Sequence, residues 1–216
     1  MGTKERKERE REQKRALIIN ATIELVTQFG FENTTMDEIA KKTEFSKGTL
    51  YLYFADKSHL FVEIKALGLQ VLHERFSALL LKDSKGKDLV LQMVTSFIDF
   101  LDENPVYAQS LFLPEICGVK HATLRRNGKE IVTILTHALQ IGLQDGSITR
   151  KINPRTTAVQ VGLYMYGILQ LYINDADLQY KQILKENNTS IQQMVCQSVE
   201  TLLVENDKNS TNITNE

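Results

Sequence analysis

The residues of this chain best suited to chemistry are hydroxyl-bearing and basic side chains gathered on one short stretch. They lie within residues 35–61, on a predicted short helix with almost no acidic side chains. Small, basic and hydroxyl-bearing residues on one thin helix can enter a DNA major groove, where they bond to phosphates and base edges. The sequence therefore indicates a DNA-binding protein through Ser46, Lys47, Gly48, Thr49, Tyr51 and Tyr53.

Residues for catalysis or metal binding do not form a recognisable pattern. Cys117 and Cys196 lie far apart and match no metal-ligand spacing. The sequence shows no Ser-His-Asp set and no glycine loop of the kind that cradles phosphates. We therefore expect no cofactor and no metal, and we rank an enzyme below a DNA-binding protein. The histidines are also scattered along the chain, at His59, His73, His121 and His137.

Two short helices joined by a tight turn are predicted to position the DNA-contacting residues. Thr35 and Glu38 form a capping box that begins a helix at residues 36–43. Ser46 caps the following helix, which continues to Tyr53. Its expected core-facing residues are Leu50 and Phe54, which would fix the helix from one side.

The rest of the chain also has helical periodicity, so the predicted fold is all-α. The sequence has only three prolines, no tryptophan and a hydrophobic content of 42%, which is enough for a sizeable core. No alternating pattern typical of strands persists. Further helices are predicted at residues 13–29, 56–81, 89–103, 106–116, 121–144, 154–173 and 191–204, with a short helical piece at 177–186; Gly30 is predicted to end the first, and Asp56 to cap the second.

The N-terminal extension is the most highly charged part of the chain. Residues 4–15 contain seven cations and four anions, whereas the whole protein has a net charge of −1. Pairs such as Glu5 with Arg9 support a helix whose charges are simply solvated. The alternative is an arm that reaches DNA phosphate or the minor groove.

The segment from Phe31 onward resembles the DNA-binding domain of TetR-type (tetracycline-repressor-like) transcriptional regulators. The resemblance covers roughly residues 13–65. It implies an N-terminal three-helix helix-turn-helix domain, followed by a helical domain that binds a small molecule and dimerises. The matching residues are Gly30, Phe31, Thr34, Thr35, Ile39, Ala40, Ser46 to Tyr51, Tyr53, Phe54, Lys57, Leu60 and Phe61.

The resemblance also implies roles for individual residues. Thr35 would bond a phosphate, and Lys47, Gly48 and Thr49 would face the groove. Ser46 belongs to the same predicted DNA-binding set. The other members are Tyr51 and Tyr53, which would contact the sugar-phosphate backbone, and Lys57, which would meet a phosphate beside the N-terminal end of its helix.

Two residues depart from the family pattern. Glu44 stands in the inter-helix turn, where relatives usually have glycine, and it adopts a left-handed conformation less readily. Leu52 stands between the two tyrosines, where the family often has an aromatic or basic residue, and it removes one possible phosphate donor. Because the charges around this segment are balanced, we expect binding that depends on geometry more than on bulk attraction.

We predict four regions: a charged extension at 1–12, the DNA-binding domain at 13–60, a ligand-binding and dimerisation domain at 61–205, and a disordered tail at 206–216. The resemblance places the homodimer contact on the helices 154–173 and 191–204, where Gly162 and Gly167 would allow close approach. An apolar stripe on the last helix is expected to require a partner, and it consists of Ile191, Val195, Leu202 and Leu203.

A mostly apolar pocket with a few polar groups is expected in the second half of the chain. For each candidate the alternative is an ordinary core or surface position. His137 is the most interesting because the neighbouring helix positions are apolar, although a satisfied buried histidine is the commoner case. The candidates are Met93, Phe97, Phe100, Tyr107, Phe112, His137, Gln140, Gln160, Tyr164 and Tyr172.

The leading hypothesis is a cytoplasmic dimeric repressor that binds a pseudopalindromic DNA operator and is released by a small molecule. Two cysteines and an N-terminus without an apolar stretch favour a reducing cytoplasm over export. One alternative is a helical interaction module of the same fold with lost or altered DNA binding; the other is an enzyme.

Overall fold

The protein consists of α-helices throughout the residues that the computed structural model describes, which are 2–112, 122–173 and 178–205. No strand occurs within these ranges, so the predicted all-α fold is confirmed. The helices are α1 (Thr3–Asn33), α2 (Met36–Thr43), α3 (Lys47–Tyr53), α4 (Lys57–Leu80), α5 (Gly86–Glu103), α6 (Pro105–Phe112), α7 (Ala122–Gln144), α8 (Pro154–Ile173), α9 (Leu178–Glu186) and α10 (Ile191–Leu203).

The chain divides into two compact units. Unit 1 contains residues 1–70 and 104–127, and unit 2 contains residues 71–103 and 128–216. This division differs from the predicted boundary after residue 60, because α6 and the first half of α4 pack into the N-terminal core. Val106 is buried in that core, and a Cβ at Gly68 would lie 3.0 Å from the Cβ of Tyr107.

The core of unit 1 is formed by one apolar residue or more from each of α1 to α4. Ile18, Ile39, Leu50 and Ile64 are completely buried. Burying a large aliphatic side chain contributes about 1.5–3 kcal/mol, so these contacts dominate the stability of the unit. The consequence for the site is that α2 and α3 are held from one side only.

Helix α1 includes the charged extension and contains a break. The extension is helical from Thr3, as its charge pairs predicted, and it continues directly into the helix predicted from residue 13. Gly30 interrupts it with φ 80° and ψ 166°, a conformation that residues with a Cβ rarely adopt. The break turns the last residues away from the preceding helix, and Phe29, next to the break, is exposed.

Unit 2 is built around α5, which packs against α8 and α10. The end of α7 approaches the start of α5 so closely that a Cβ at Gly86 would lie 2.0 Å from the amide nitrogen of Gly142. The Asp145 carboxylate accepts a hydrogen bond of 2.8 Å from the Gly86 amide. Hydrogen bonds from Ser147 and Gly86 lower the pKa of Asp145. This junction explains why α5 begins earlier than residue 89.

The remaining helices agree with the sequence analysis where the structure describes them. The starts of α8 and α10 and the short helix α9 fall at or within one residue of the predicted positions. The end of the helix predicted to residue 116, Cys117, His121 and the tail at 206–216 lie outside the described residues. Within the described ranges, no helix combines the length and apolar character needed to cross a membrane.

Candidate nucleic-acid interface

Helix α2 begins with the predicted capping box. The Thr35 hydroxyl accepts a hydrogen bond from the Glu38 amide at 3.3 Å and donates one to Glu38 Oε2 at 2.9 Å. The same carboxylate oxygen accepts the Thr35 amide at 2.8 Å. Because both side chains are exposed, Thr35 stands at the surface with a fixed orientation at the start of α2.

The turn between α2 and α3 contains a strained residue. Glu44 adopts the left-handed conformation, with φ 58° and ψ 20°. This conformation costs a residue with a Cβ about 1–2 kcal/mol, so glycine is the usual occupant. Backbone hydrogen bonds hold the turn, including one of 3.1 Å from the Phe45 amide to the Ala40 carbonyl. These hydrogen bonds hold the turn although Glu44 stands where the family usually has glycine.

Helix α3 is capped at its start and anchored by one face. Ser46 Oγ accepts the Thr49 amide at 3.1 Å, and the two hydroxyl oxygens lie 2.8 Å apart. Leu50 and Phe54 are buried, as predicted. On the other face the exposed fractions are 51% for Tyr51 and 79% for Leu52. The anchored face fixes the helix, and the exposed face is available to a partner.

Lys47 makes an ion pair that the sequence analysis did not predict. Its Nζ lies 2.6 Å from Oδ1 of Asp37 on α2, and both side chains are exposed. The hydrogen bond to Asp37 and its negative charge raise the pKa of Lys47. The lysine is therefore charged at neutral pH, but its charge is partly compensated. The balance of charges around this segment was the signal that could have indicated such a pair.

Lys57 is held back against the end of α1. Its Nζ donates to the Glu32 carbonyl at 3.1 Å and lies 5.2 Å from the centroid of the Phe61 ring. Partial burial lowers the pKa of Lys57. The carboxylate of Asp56 caps α4 by accepting the His59 amide at 2.9 Å. The lysine thus stands beside the N-terminal end of α4, where its predicted role places it.

A second ion pair connects α1 to α4 at the end of α3. The guanidinium of Arg15 donates to both carboxylate oxygens of Glu63, at 2.8 and 2.6 Å. The hydrogen bond to Glu63 is the main cause of the raised pKa of Arg15. Its Cζ also lies 5.1 Å from the centroid of the Phe54 ring. This contact leaves no local signal in the sequence because the partners are separated by 48 positions.

The structure therefore gathers the eight predicted DNA-binding residues into one part of unit 1. They occupy the start of α2, the whole of α3 and the start of α4. Hydroxyl and cationic side chains in this arrangement can donate hydrogen bonds to phosphate oxygens. Their contact with DNA stays a prediction for Thr35, Ser46, Lys47, Gly48, Thr49, Tyr51, Tyr53 and Lys57.

The predicted ligand-binding residues are not gathered in the same way. Three candidates on α5 have buried side chains: Met93, Phe97 and Phe100. Tyr107 in unit 1 is half-buried. Burial raises the pKa of the Tyr107 hydroxyl. The side chains of Phe112 and Tyr172 lie outside the described residues. Four other candidates are exposed, and a role for them in ligand binding stays a prediction: His137, Gln140, Gln160 and Tyr164.

Unit 2 has a surface groove of about 490 Å³ along the end of α4 and the outer face of α5. None of the predicted ligand residues lines it. Its polar lining includes Lys82, Asp88 and Asp99, in contrast to the mostly apolar pocket that was expected. The groove therefore does not correspond to the predicted pocket.

Asn127 in unit 1 was not among the predicted residues. It is only 3% exposed, and its Nδ2 has no hydrogen-bond partner in the part of the chain that the structure describes. An unsatisfied buried amide costs about 1–3 kcal/mol, so it calls for an explanation. Its helical spacing from Leu124 and Ile131 places it on the apolar face of α7, and this was the signal available in the sequence.

The predicted dimer helices differ in how much apolar surface they expose. Leu163 and Tyr166 on α8 are 65% and 53% exposed, and an added Cβ at Gly162 or Gly167 would meet no atom within 4 Å. On α10, however, Val195 and Leu203 are buried within unit 2. The expectation that the whole α10 stripe needs a partner is therefore wrong for these two residues.

Comparison with known proteins places the same segment in a family of regulatory proteins, independently of this geometry. Residues 18–64 match the family described as "Bacterial regulatory proteins, tetR family". This range contains α2, α3, the start of α4 and all eight predicted DNA-binding residues.

Similarity to individual proteins extends over most of the chain. The HTH-type transcriptional regulator UidR of Escherichia coli (strain K12) is 28% identical over 178 residues, which cover 80% of this chain and 85% of UidR. The regulator YhgD of Bacillus subtilis (strain 168) is 24% identical over 162 residues, covering 74% and 81%. These relatives confirm the interpretation as a regulator over the enzyme alternative.

A solved structure supports the fold of both halves. The transcriptional regulator FadR from Bacillus subtilis, solved in complex with stearoyl-CoA, superposes with a TM-score of 0.64. The superposition covers 87% of this chain and 97% of FadR, with 17% sequence identity. The likeness at this identity concerns the fold, which confirms a helix-turn-helix domain followed by a helical domain.

Proposed function

Because this chain belongs to the TetR family of DNA-binding transcriptional regulators, we propose that it represses transcription as a cytoplasmic homodimer on a pseudopalindromic operator. The observation that carries the proposal is the arrangement of α3. One face of this helix is anchored by Leu50 and Phe54, while Lys47, Gly48 and Tyr51 are exposed on the other. Such a helix can occupy a major groove while α2 crosses the backbone.

The DNA contacts follow from the positions of the donors. Thr35 at the start of α2, Tyr51 and Tyr53 on α3, and Lys57 at the start of α4 bond phosphates. Lys47 and Thr49 approach base edges, and Gly48 lets the backbone come close. For Lys47 to reach DNA, its ion pair with Asp37 must open; both partners are exposed, so this exchange is inexpensive.

The dimer forms through α8, with α10 beside it. Among the described helices of unit 2, α8 exposes the most large apolar side chains. They are Val159, Leu163, Tyr164 and Tyr166. Exposed apolar surface of this kind marks an interface with another protein. Two-fold pairing places the α3 helices of the two subunits, the recognition helices, about one DNA turn apart. This spacing matches a pseudopalindromic site.

A small-molecule effector releases the protein from DNA. It binds more tightly to a conformation in which the two recognition helices are wrongly spaced, and so shifts the population away from DNA. We propose that Asn127 donates its unpaired Nδ2 hydrogen to an oxygen of the effector. The stearoyl-CoA bound to FadR makes long-chain acyl-CoA compounds the first group to screen.

The DNA-binding proposal is tested by selecting duplexes from a random library with the full-length protein. A two-fold-symmetric consensus protected by a dimer is the expected result. A selected site without symmetry contradicts the dimeric repressor, and failure to select any sequence favours the interaction-module alternative. Binding must also weaken as salt rises, because phosphate contacts release counterions.

The effector proposal is tested by thermal unfolding with and without candidate compounds. A compound that binds the folded protein raises its Tm and lowers its affinity for the selected duplex. The Asn127→Leu variant removes the unpaired amide, so it should unfold at a higher temperature without compound. The same variant should lose most of the compound-induced shift in Tm. An unchanged shift would exclude Asn127 from the effector site.

A further inference from the structure

The charges of the N-terminal helical extension are sorted by face. Residues 3–15 form a regular part of α1, and Lys4, Lys7, Arg11 and Lys14 follow one another at intervals of three and four residues. Residues with this spacing lie on one face of a helix. A separate face about a third of a turn away carries Glu5, Glu8 and Glu12. The extension thus has a basic stripe and an acidic stripe.

The basic stripe continues the face by which α1 packs into unit 1. Continuing the same spacing beyond Lys14 leads to Ile18, Ala21 and Leu25, all of which are buried. The same face of α1 is therefore apolar where the helix packs into unit 1 and cationic in the extension. Three of the four anions of the extension lie off this face, and the fourth, Glu10, flanks the stripe and is paired with Arg6. A helix that is merely solvated has no need to separate its charges in this way. The sorting indicates a negatively charged partner on the side of α1 where the domain lies.

The C-terminal end of the extension is fixed close to α3. Arg15 is bound to Glu63 by two hydrogen bonds, and it stacks on Phe54, the residue that directly follows α3. This ion pair also uses the charge of Arg15, so the arginine is not part of the stripe. At a rise of about 1.5 Å per residue, the four free cations extend over about 15 Å from this point.

The four cations of the basic stripe are available for binding. All four side chains are exposed, and none of them makes an ion pair with any other described residue. Arg6, which lies on the third face of the helix, is instead paired with Glu10 at 3.3 Å. DNA carries one charge per ~1.7 Å of its axis, so several phosphates can face a stripe of this length.

We propose that the basic stripe of α1 (Lys4, Lys7, Arg11 and Lys14) binds the phosphate backbone of the DNA held by α3. This inference rests on the proposed function and deepens it. The stripe contacts phosphates and no base edges, since four flexible cations on one face offer charge without directional recognition. It supplies the electrostatic attraction that the balanced charges around α3 lack, and the acidic stripe faces away from DNA.

The test compares two sets of substitutions on the same helix. The basic-stripe variant is Lys4→Gln, Lys7→Gln, Arg11→Gln and Lys14→Gln in the full-length protein. The matched control is Glu5→Gln, Glu8→Gln and Glu12→Gln. Affinity for the duplex selected by the wild-type protein is measured at several KCl concentrations between about 50 and 200 mM, a range in which phosphate contacts change affinity strongly. Circular dichroism checks that both variants stay helical.

We expect the slope of log K against log salt to change in the basic-stripe variant and to stay the same in the control. Each lost phosphate contact lowers the slope of log K against log salt by about 0.9, so two or more contacts per subunit lower it by roughly 3–4 in a dimer. Affinity at 100 mM KCl should fall by at least about tenfold. A separate variant with arginine in place of the three lysines of the stripe keeps all four cations, so it should have the wild-type slope.

Two results would overturn the inference. The first is a basic-stripe variant whose slope equals that of the wild type. The second is a control variant whose slope rises by as much as the basic-stripe slope falls, because net charge and not placement would then explain both. If the wild-type protein selects no DNA sequence, the proposed function fails and the inference with it. If the wild-type protein selects a DNA sequence but the slope of the basic-stripe variant is unchanged, only the inference about the basic stripe fails.

Discussion

Helix α3 and helix α8 both expose aromatic and aliphatic side chains, but their surroundings differ. The exposed Tyr51 and Leu52 lie beside hydroxyl and cationic groups on a helix of seven residues. On α8, Leu163 and Tyr166 lie on a helix of 20 residues with two glycines, and a Cβ added at either glycine would meet no atom within 4 Å. The first surface suits a charged groove, and the second suits an apolar partner. Exposure alone therefore does not identify a partner; the chemistry around the exposed groups does.

The largest expected effect comes from placing charge on α8. Leu163→Glu combined with Tyr166→Glu should raise the dissociation constant of the dimer at least ~100-fold, because buried apolar anchors at interfaces commonly contribute about 2 kcal/mol or more each. The affinity for a duplex with two half-sites should also fall, since each subunit then binds its half-site without the other. Light scattering after size exclusion measures the mass, and Leu81→Glu, at another exposed leucine, is the control. A double variant that stays dimeric would show that α8 is not the interface.

Removing one hydroxyl group from each surface separates the two roles further. Tyr51→Phe should weaken DNA binding by roughly 10- to 100-fold, because a hydrogen bond to a charged phosphate contributes about 1.5–3 kcal/mol. Tyr166→Phe keeps the ring and should change neither DNA affinity nor the dimer. Fluorescence anisotropy with the selected duplex measures the first effect. Equal losses in the two variants would remove the distinction between α3 and α8.

The turn that orients α3 can be tested against a turn in the other half. Glu44→Gly relieves the left-handed conformation and should stabilise the protein by about 1 kcal/mol, raising Tm by ~2–4 °C. Asn188 has a similar φ of 50°, but asparagine tolerates this conformation. Asn188→Gly should therefore shift Tm by less. If the two shifts are equal, the strain assigned to Glu44 is absent.

The smallest expected effect concerns the ion pair across α2 and α3. Asp37→Asn releases Lys47 from its partner and should increase DNA affinity a few-fold, most clearly at low salt. The matched control is Glu24→Gln, which releases Lys42 from an ion pair of 2.8 Å between α1 and α2. Lys42 is not among the predicted DNA contacts. A greater gain from the control would mean that Lys47 stays on Asp37 when DNA is bound.

The sequence predicted the DNA-binding segment well because its signals are local. Caps such as Thr35 with Glu38, and Ser46 with Thr49, lie three residues apart and depend only on helical geometry. Leu50 and Phe54 follow from the same periodicity. The effector pocket had no such signal. Helical spacing identifies an apolar face, but it does not say which of several apolar faces meet, so it could not show that His137 and Gln160 are exposed.

By itself, the sequence determined the all-α fold, the two short helices and the side chains that α3 presents, since each depends on residues within about one or two turns of one another. Tertiary structure alone decided which distant groups pair. It placed Arg15 on Glu63, Lys47 on Asp37 and Gly86 against Gly142, and it buried part of the α10 stripe. The reason is physical: helix periodicity is encoded in neighbouring residues, whereas the packing of one helix on another depends on the shapes and charges of residues far apart in the chain.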